Sequence, residues 1–405
     1  MKISVVLMQF PAPSETFASN DIRTMKNLGL DVNVYGMKRK HLSNEKFLNE
    51  RDILDIPVDN NTFLKNIYGL FLSVFYPRLL FKILKYIFFL NQKKRSHYIK
   101  LMLLIPSSFY IFNKLKKESP DIVHLFWGHY PAIVGLLVKE SGINIKVSMF
   151  LGAYDLEYNL GITREITNKC DILFTHSEGN KKLLQKRYNL SKNKIVVCYR
   201  GVDINKFIKE SKNINKKESS FLTIGRLIDV KAQNDVILAF SKIKKILPTA
   251  TLKIIGDGQD KEKLLKLVAK LNLNSSITFL GHIAQNDLFL YLRESEYFLF
   301  MSVHNGERLP NSLKEAMISE NICIATKTKD IEELVNDRIN GFLVDYHDIE
   351  TVEDIIRDIY TDEAVKNRIK INAKNTILKS FNVESSIKKM INEWIKILNK
   401  QSYKE

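Results

Sequence analysis

The opening residues of this chain restrict its fold class. Lys2–Gln9 is an apolar run of strand length, Phe17–Leu28 has helical spacing and stops at Gly29, and Val32–Tyr35 returns to strand character. A strand, a helix and a strand at this spacing predict a right-handed crossover between parallel neighbours. The same alternation continues with predicted strands at Asp121–Trp127, Lys146–Leu151, Asp171–Ser177 and Ile195–Tyr199. It resumes after a Lys-, Asn- and Ser-rich stretch, Ile208–Ser220, with strands at Phe221–Leu227, Thr251–Ile255, Ile277–Leu280, Tyr297–Met301, Ile322–Thr326 and Gly341–Val344. The expected class is α/β. A chain of 405 residues with 45% apolar content suffices for two domains, each with its own core.

The expected division is 1–207, 208–380 and a final helix, 381–405, that crosses back to the first domain. Residues 61–117 interrupt the alternation. This insert carries Lys65, Arg78, Lys82, Lys85, Lys93, Lys94, Arg95, Lys100, Lys114, Lys116 and Lys117 and no acidic residue. Apolar residues such as Leu80, Ile83, Leu84, Ile87 and Phe88 recur among them at helical spacing. No run reaches the roughly 18 apolar residues that span a bilayer. A face that is only solvated normally mixes signs, so the insert reads as a surface for an anionic membrane. Packing of its apolar residues onto the domain core is the plainer alternative.

The net charge of +17 fits nucleic acid, membrane or anionic substrates. No helix-turn-helix, zinc-finger or ribonucleoprotein signature is present, so nucleic acid is not an expected partner. Cys170, Cys198 and Cys323 are scattered, without CxxC or ligand-spaced histidines, so neither disulfides nor a metal site is expected. The first ten residues lack a small-residue cleavage site and run into Pro11 and Pro13, which suits a first strand better than a signal peptide.

Chemistry concentrates between Phe300 and Val335. Glu307 falls on a strand-to-helix loop, and Glu315 in the first turns of the helix that follows Pro310. The amides of Leu309, Pro310's neighbours Asn311 and Ser312 offer an anion site at the helix start. Ser312-Leu-Lys-Glu315 also matches a capping box, on which reading Glu315 only closes a helix end. In the second half, Gly225-Arg226-Leu227 is a glycine turn after a strand, and Lys231 begins a helix. A guanidinium fork and a point charge placed there complement two phosphates. Gly256-Asp257-Gly258 lacks the further glycine of a dinucleotide fingerprint.

Gly306-Glu307-x-x-Pro310-x-x-x-x-Glu315-Ala316-Met317, the Gly225-Arg226-Leu227 turn with Lys231, and the Gly201-Val202-Asp203 turn with Phe207 together resemble the retaining, nucleotide-sugar-dependent glycosyltransferases of family 4, which have the GT-B fold. The resemblance covers nearly all of the chain outside Lys38–Leu115. It implies two doubly wound Rossmann-like domains facing a cleft. It further implies transfer of a sugar from a nucleotide-diphosphate donor to a carbohydrate or polyprenyl-linked acceptor, in bacterial surface polysaccharide, capsule or lipopolysaccharide synthesis. By resemblance Glu307 meets the donor sugar, Glu315 the ribose, Arg226, Lys231 and the Leu309–Ser312 amides the diphosphate, and His282 the region of the base. The Ser14-Glu15-Thr16 loop resembles the acceptor-side loop of a polysaccharide subgroup. With Glu307, His129 and Asp155 complete the expected catalytic set. The family's histidine ahead of that aspartate is Gly152 here, so His129 or His124 is its candidate substitute; a structural histidine is the alternative. Ala232 and Lys329-Asp330 replace family glycines. No Asp-x-Asp motif occurs, so no metal or other cofactor is expected. The implied location is the cytoplasmic face of the membrane, held peripherally. Two rivals remain on sequence alone, a sugar-nucleotide epimerase of the same fold and a non-catalytic partner subunit.

Overall fold

The structure is a computed structural model that describes residues 1–12, 15–40, 44–90, 95–158, 160–209, 215–304 and 306–399. Ser14 of the predicted acceptor-side loop, and Lys93 and Lys94 of the insert, lie outside the described residues. Two compact units are present, Met1–Arg200 with Val383–Glu405, and Gly201–Asn382.

The first unit is built on a parallel sheet of β1 (Lys2–Leu7), β2 (Asp31–Gly36), β3 (Val58–Asn60), β4 (Ile122–Leu125), β5 (Lys146–Leu151), β6 (Ile172–Thr175) and β7 (Ile195–Val197). Its order is β3-β2-β1-β4-β5-β6-β7. Ile3, Val5 and Leu7 enter one core and Val6 the opposite one, so both faces are dry. That explains why these strands read as unbroken apolar runs. The helix Val383–Asn399 packs in this unit, where Trp394 is fully buried against His124 and Phe174.

The second unit holds β8 (Lys217–Ile224), β9 (Thr251–Ile255), β10 (Ile277–Gly281), β11 (Ser295–Phe300), β12 (Ile322–Thr326) and β13 (Phe342–Val344). The order β10-β9-β8-β11-β12-β13 is that of a doubly wound nucleotide-binding sheet. β8 starts at Lys217, inside the stretch read from sequence as linker, because Lys217 pairs in register with Ser295.

The basic insert forms three helices, Phe63–Phe75, Pro77–Phe89 and Arg95–Glu118, between β3 and β4. The first is packed inside out. Its buried positions are Gly69, Leu72 and Ser73, while Phe63, Leu64, Ile67, Leu70, Phe71, Val74 and Phe75 face outward. In the second, Leu79, Ile83 and Ile87 are buried and Phe81, Phe88 and Phe89 are exposed. No single helix among the described residues is long and apolar enough to cross a membrane. Phe63–Phe75 and Pro77–Phe89 have that composition only as a pair bent by 105°.

Gly69 sets how closely the insert's first and third helices approach. A Cβ at Gly69 would lie 1.9 Å from the Pro106 carbonyl oxygen. Replacing glycine by alanine inside a helix ordinarily stabilises by roughly 0.5–1 kcal/mol. Gly69→Ala is expected to do the reverse, lowering stability by about 1–3 kcal/mol as the helices are forced apart. Chemical denaturation reads the sign.

Candidate functional site

In the second unit the predicted residues collect beyond the carboxyl ends of the strands, where an open α/β sheet binds ligands. β8 delivers Gly225 and Arg226, β10 delivers His282, and β11 delivers the loop to Glu307. Both Arg226 and His282 are exposed. Two contacts pin the β11 loop to the β8 loop. The Val303 amide donates to the Val230 carbonyl (3.0 Å), and Ser302 Oγ donates to the same oxygen (3.1 Å). This brings Lys231 against Glu307, so that Lys231 Nζ donates to both carboxylate oxygens. Ser302 Oγ lies 2.6 Å from Glu307 Oε2. The phosphate and sugar candidates are therefore an ion pair here, both largely buried.

Leu309 and Pro310 are buried and lead into the helix Asn311–Ile318. Pro310, in extended conformation, is the residue before the helix. The first-turn amides of Asn311 and Ser312 precede the point where helical bonding begins. Ser312 is thus the second helical residue, not the cap, and no side chain caps the helix. The capping-box reading of Glu315 is not realised. Burial instead pushes the Glu315 carboxyl up to about 7, against the opposing charge of Lys314.

Two of the three family glycine positions that carry side chains, Ala232 and Asp330, are accommodated. Ala232 sits at φ 48°, ψ 43° with its methyl group in the core. Asp330 sits at φ 65°, a conformation aspartate tolerates better than most residues, and its carboxylate pairs with Arg308. Arg308 escaped the sequence reading because its partner is a loop residue beyond the following strand.

In the first unit, His129 Nδ1 is 2.9 Å from Asp155 Oδ1, and Asp155 Oδ2 accepts from the Gly152 amide (2.8 Å). Asp155 thereby orients the ring. A Cβ at Gly152 would lie 2.8 Å from the Trp127 ring, which leaves no room for the family's histidine. His124 is excluded as its substitute. It is buried in β4 with Nδ1 2.8 Å from Ser148 Oγ, and burial drives it down to about 3.

Glu15 precedes the helix Thr16–Asn27, in which Thr16 is the first residue and caps nothing. Burial raises the Glu15 carboxyl, opposed by Arg200 and His129 and by a hydrogen bond with Trp127. Glu15 therefore belongs to the same cluster as His129. Arg200 was read only as the start of a turn, yet its guanidinium lies 4.2–4.7 Å from the rings of Phe17, Phe126, Trp127 and Phe150. Its position just past β7, at the carboxyl edge, was the available signal.

Residues 15–206 match the family model described as Glycosyltransferase Family 4, and 204–376 match Glycosyl transferases group 1. The chain is similar to a Campylobacter jejuni protein named N-acetylgalactosamine-N,N'-diacetylbacillosaminyl-diphospho-undecaprenol 4-alpha-N-acetylgalactosaminyltransferase. Identity is 28%, over 51% of this chain and 56% of that one. It is also 28% identical to the capsular polysaccharide biosynthesis glycosyltransferase CapH of Staphylococcus aureus, over 54% of this chain and 63% of the relative. The chain thus spans between half and two thirds of the length of these curated relatives. Among solved structures, Anabaena HepE in complex with UDP shares the fold at a TM-score of 0.72 and 16% identity, over 97% of this chain and 99% of that one.

The raised Glu315 carboxyl has a definite effect on stability. Between about pH 4.5 and 7 the folded state keeps a proton that the unfolded chain has released, so stability falls as pH rises through that window. Glu315→Gln is expected to raise the melting temperature at pH 8 and leave it unchanged at pH 4. A lower melting temperature at both pH values would restore the structural capping role.

Proposed function

We propose, from the premise that this chain belongs to the glycosyltransferases of the GT-B fold, that it moves a sugar from a nucleotide-diphosphate donor to a carbohydrate or lipid-linked saccharide acceptor, with retention of configuration. The observation that carries the reading is the carboxyl-edge cluster of the second unit. There Arg226, Lys231 and the first-turn amides offer positive charge, and Glu307 and Glu315 offer acceptors for hydroxyl groups. The names of the relatives favour transfer over epimerisation and over a non-catalytic subunit.

In this reading the donor diphosphate takes over Lys231 from Glu307. The ammonium turns to the leaving phosphate, with Arg226 and the helix dipole adding to its stabilisation. We assign that work to these cations and not to a metal or other cofactor. The released Glu307 carboxylate then accepts from the donor sugar's hydroxyls, and Glu315 from the ribose. His129, oriented by Asp155, serves the reacting sugar in place of the histidine that Trp127 excludes at position 152, and Glu15 and Thr16 lie on the acceptor side.

The acceptor reading draws on the Campylobacter jejuni relative, whose name specifies a diphospho-undecaprenol-linked substrate. We place the chain peripherally on the cytoplasmic face of an anionic membrane, docked by the insert, in cell-surface polysaccharide synthesis. Its large side chains turn outward, with Leu64 75%, Phe81 70%, Phe89 83% and Leu103 71% exposed. A monomer rarely exposes so continuous an apolar surface without a partner for it. The cations Arg78, Lys85, Arg95 and Lys100 are exposed on the same helices.

Arg226→Ala or Lys231→Ala is expected to weaken nucleoside-diphosphate binding by about 1.5–3 kcal/mol per charged hydrogen bond lost. Glu307→Gln is expected to cut turnover more than nucleotide affinity. Calorimetric titration and initial rates with nucleotide sugars measure both, and unchanged affinity in both cation variants would refute the phosphate assignment.

Sedimentation with vesicles tests the docking. Binding to anionic vesicles should exceed binding to neutral ones, gaining about 1 kcal/mol per cation near the surface. High salt should weaken it without abolishing it, since the apolar side chains are not screened. Serine at Phe71, Phe75, Phe81 and Phe89 together should remove the salt-resistant part. Equal binding to both vesicle types, or to neither, would refute docking on an anionic membrane.

A further inference from the structure

Beyond the carboxyl ends of β2 and β3 the first unit has a cavity of about 780 Å³ that none of the residues discussed so far as donor or catalytic groups enters. Arg39, Lys40, Asn60, Asn61, Phe63 and Lys65 line much of it. A second cavity of about 440 Å³ adjoins it, sharing Arg39, Lys40 and Asn61 and adding Lys38 and Leu103. Glu45 is the carboxylate among the lining residues. Lys65 is committed, because its ammonium pairs with Asp59 and donates to the Asn60 carbonyl (2.8 Å). Lys38, Arg39 and Lys40 differ. All three are exposed, and among the described residues no carboxylate lies within ion-pair distance of them. Three successive cations follow the buried Met37 just past the end of β2, at the edge of the sheet where ligands bind.

The rim is the second observation. Phe63, 62% exposed, lines the first cavity and opens the outward apolar face of the helix Phe63–Phe75. Leu103, 71% exposed, lines the second and belongs to the helix Arg95–Glu118. The cationic pocket therefore opens directly onto the uncovered apolar surface. A free anion needs the cations and has no use for that border. A lipid headgroup needs both, with phosphate on the cations and hydrocarbon along Phe63 and Leu103.

We propose that this pocket binds the diphosphate of a lipid-diphosphate-linked saccharide acceptor, held by Arg39 and Lys40 with Lys38 beside them, while the isoprenoid chain leaves over Phe63 and Leu103. The proposal rests on the acceptor being lipid-linked. It names the part of the acceptor that this chain grips and the residues that grip it. Guanidinium and ammonium groups suit a diphosphate.

The test uses the full chain and a soluble short isoprenoid diphosphate, farnesyl diphosphate, with inorganic pyrophosphate as the control. Farnesyl diphosphate should bind more tightly than pyrophosphate. Arg39→Gln with Lys40→Gln should weaken it on the order of tenfold or more. The same variant should bind nucleoside diphosphate as the unaltered chain does, which separates this pocket from the donor site. It should also raise the KM for a lipid-diphosphate acceptor with little change in kcat. Unchanged affinity for farnesyl diphosphate in the double variant overturns the proposal. Pyrophosphate binding as tightly as farnesyl diphosphate also overturns it, since the pocket would then take free phosphate. Failure of docking reads differently, as loss of vesicle sedimentation with farnesyl diphosphate binding intact, and that outcome supports the pocket.

Discussion

A parallel strand between two layers of helices has no face left for polar chemistry. Val6 and its neighbours Val5 and Leu7 are sealed on opposite sides of one sheet, and only the carboxyl ends open to ligand. The arrangement of the candidate functional groups follows from that constraint. Gly225, Arg226, His282 and Glu307 lie on loops after strands of the second sheet, and His129 and the Lys38–Lys40 run follow strands of the first. Loops at such an edge vary freely while the strands hold their ends in place, so one scaffold carries very different lining residues.

The strands were legible because full burial demands continuous apolar runs, and their turns because glycine and proline mark them. Lys231 and Glu307 were each legible as candidate site residues. Their ion pair was not, since 76 positions separate them and their loops are joined through the contacts of Ser302 and Val303 with Val230, which are equally distant in sequence. Departures from the family pattern were visible as letters and opaque as physics. Gly152 looked like a lost contact until Trp127 was seen filling the space, and Asp330 like a lost glycine until Arg308 was found against it. Glu315 matched a helix cap by spacing, yet the helix starts two residues too early for Ser312 to serve.

The insert shows the limit of periodicity most clearly. Helical spacing announces an apolar face but not which face turns inward. In Phe63–Phe75 the stripe of Gly69 and Ser73 wins the interior because close approach to the helix Arg95–Glu118 requires small residues. The bulky side chains are then displaced outward by geometry.

The return of Val383–Asn399 to the first unit has a consequence for how the chain is made. Trp394, buried against His124 and Phe174, is supplied only after the whole of Gly201–Asn382 has been made. At 5–20 residues per second that interval is roughly ten to forty seconds. During it the nascent first unit exposes one side of its core, whereas the second unit, contiguous in sequence, closes without waiting. The second unit thus has its whole core in hand before the last helix of the first unit exists.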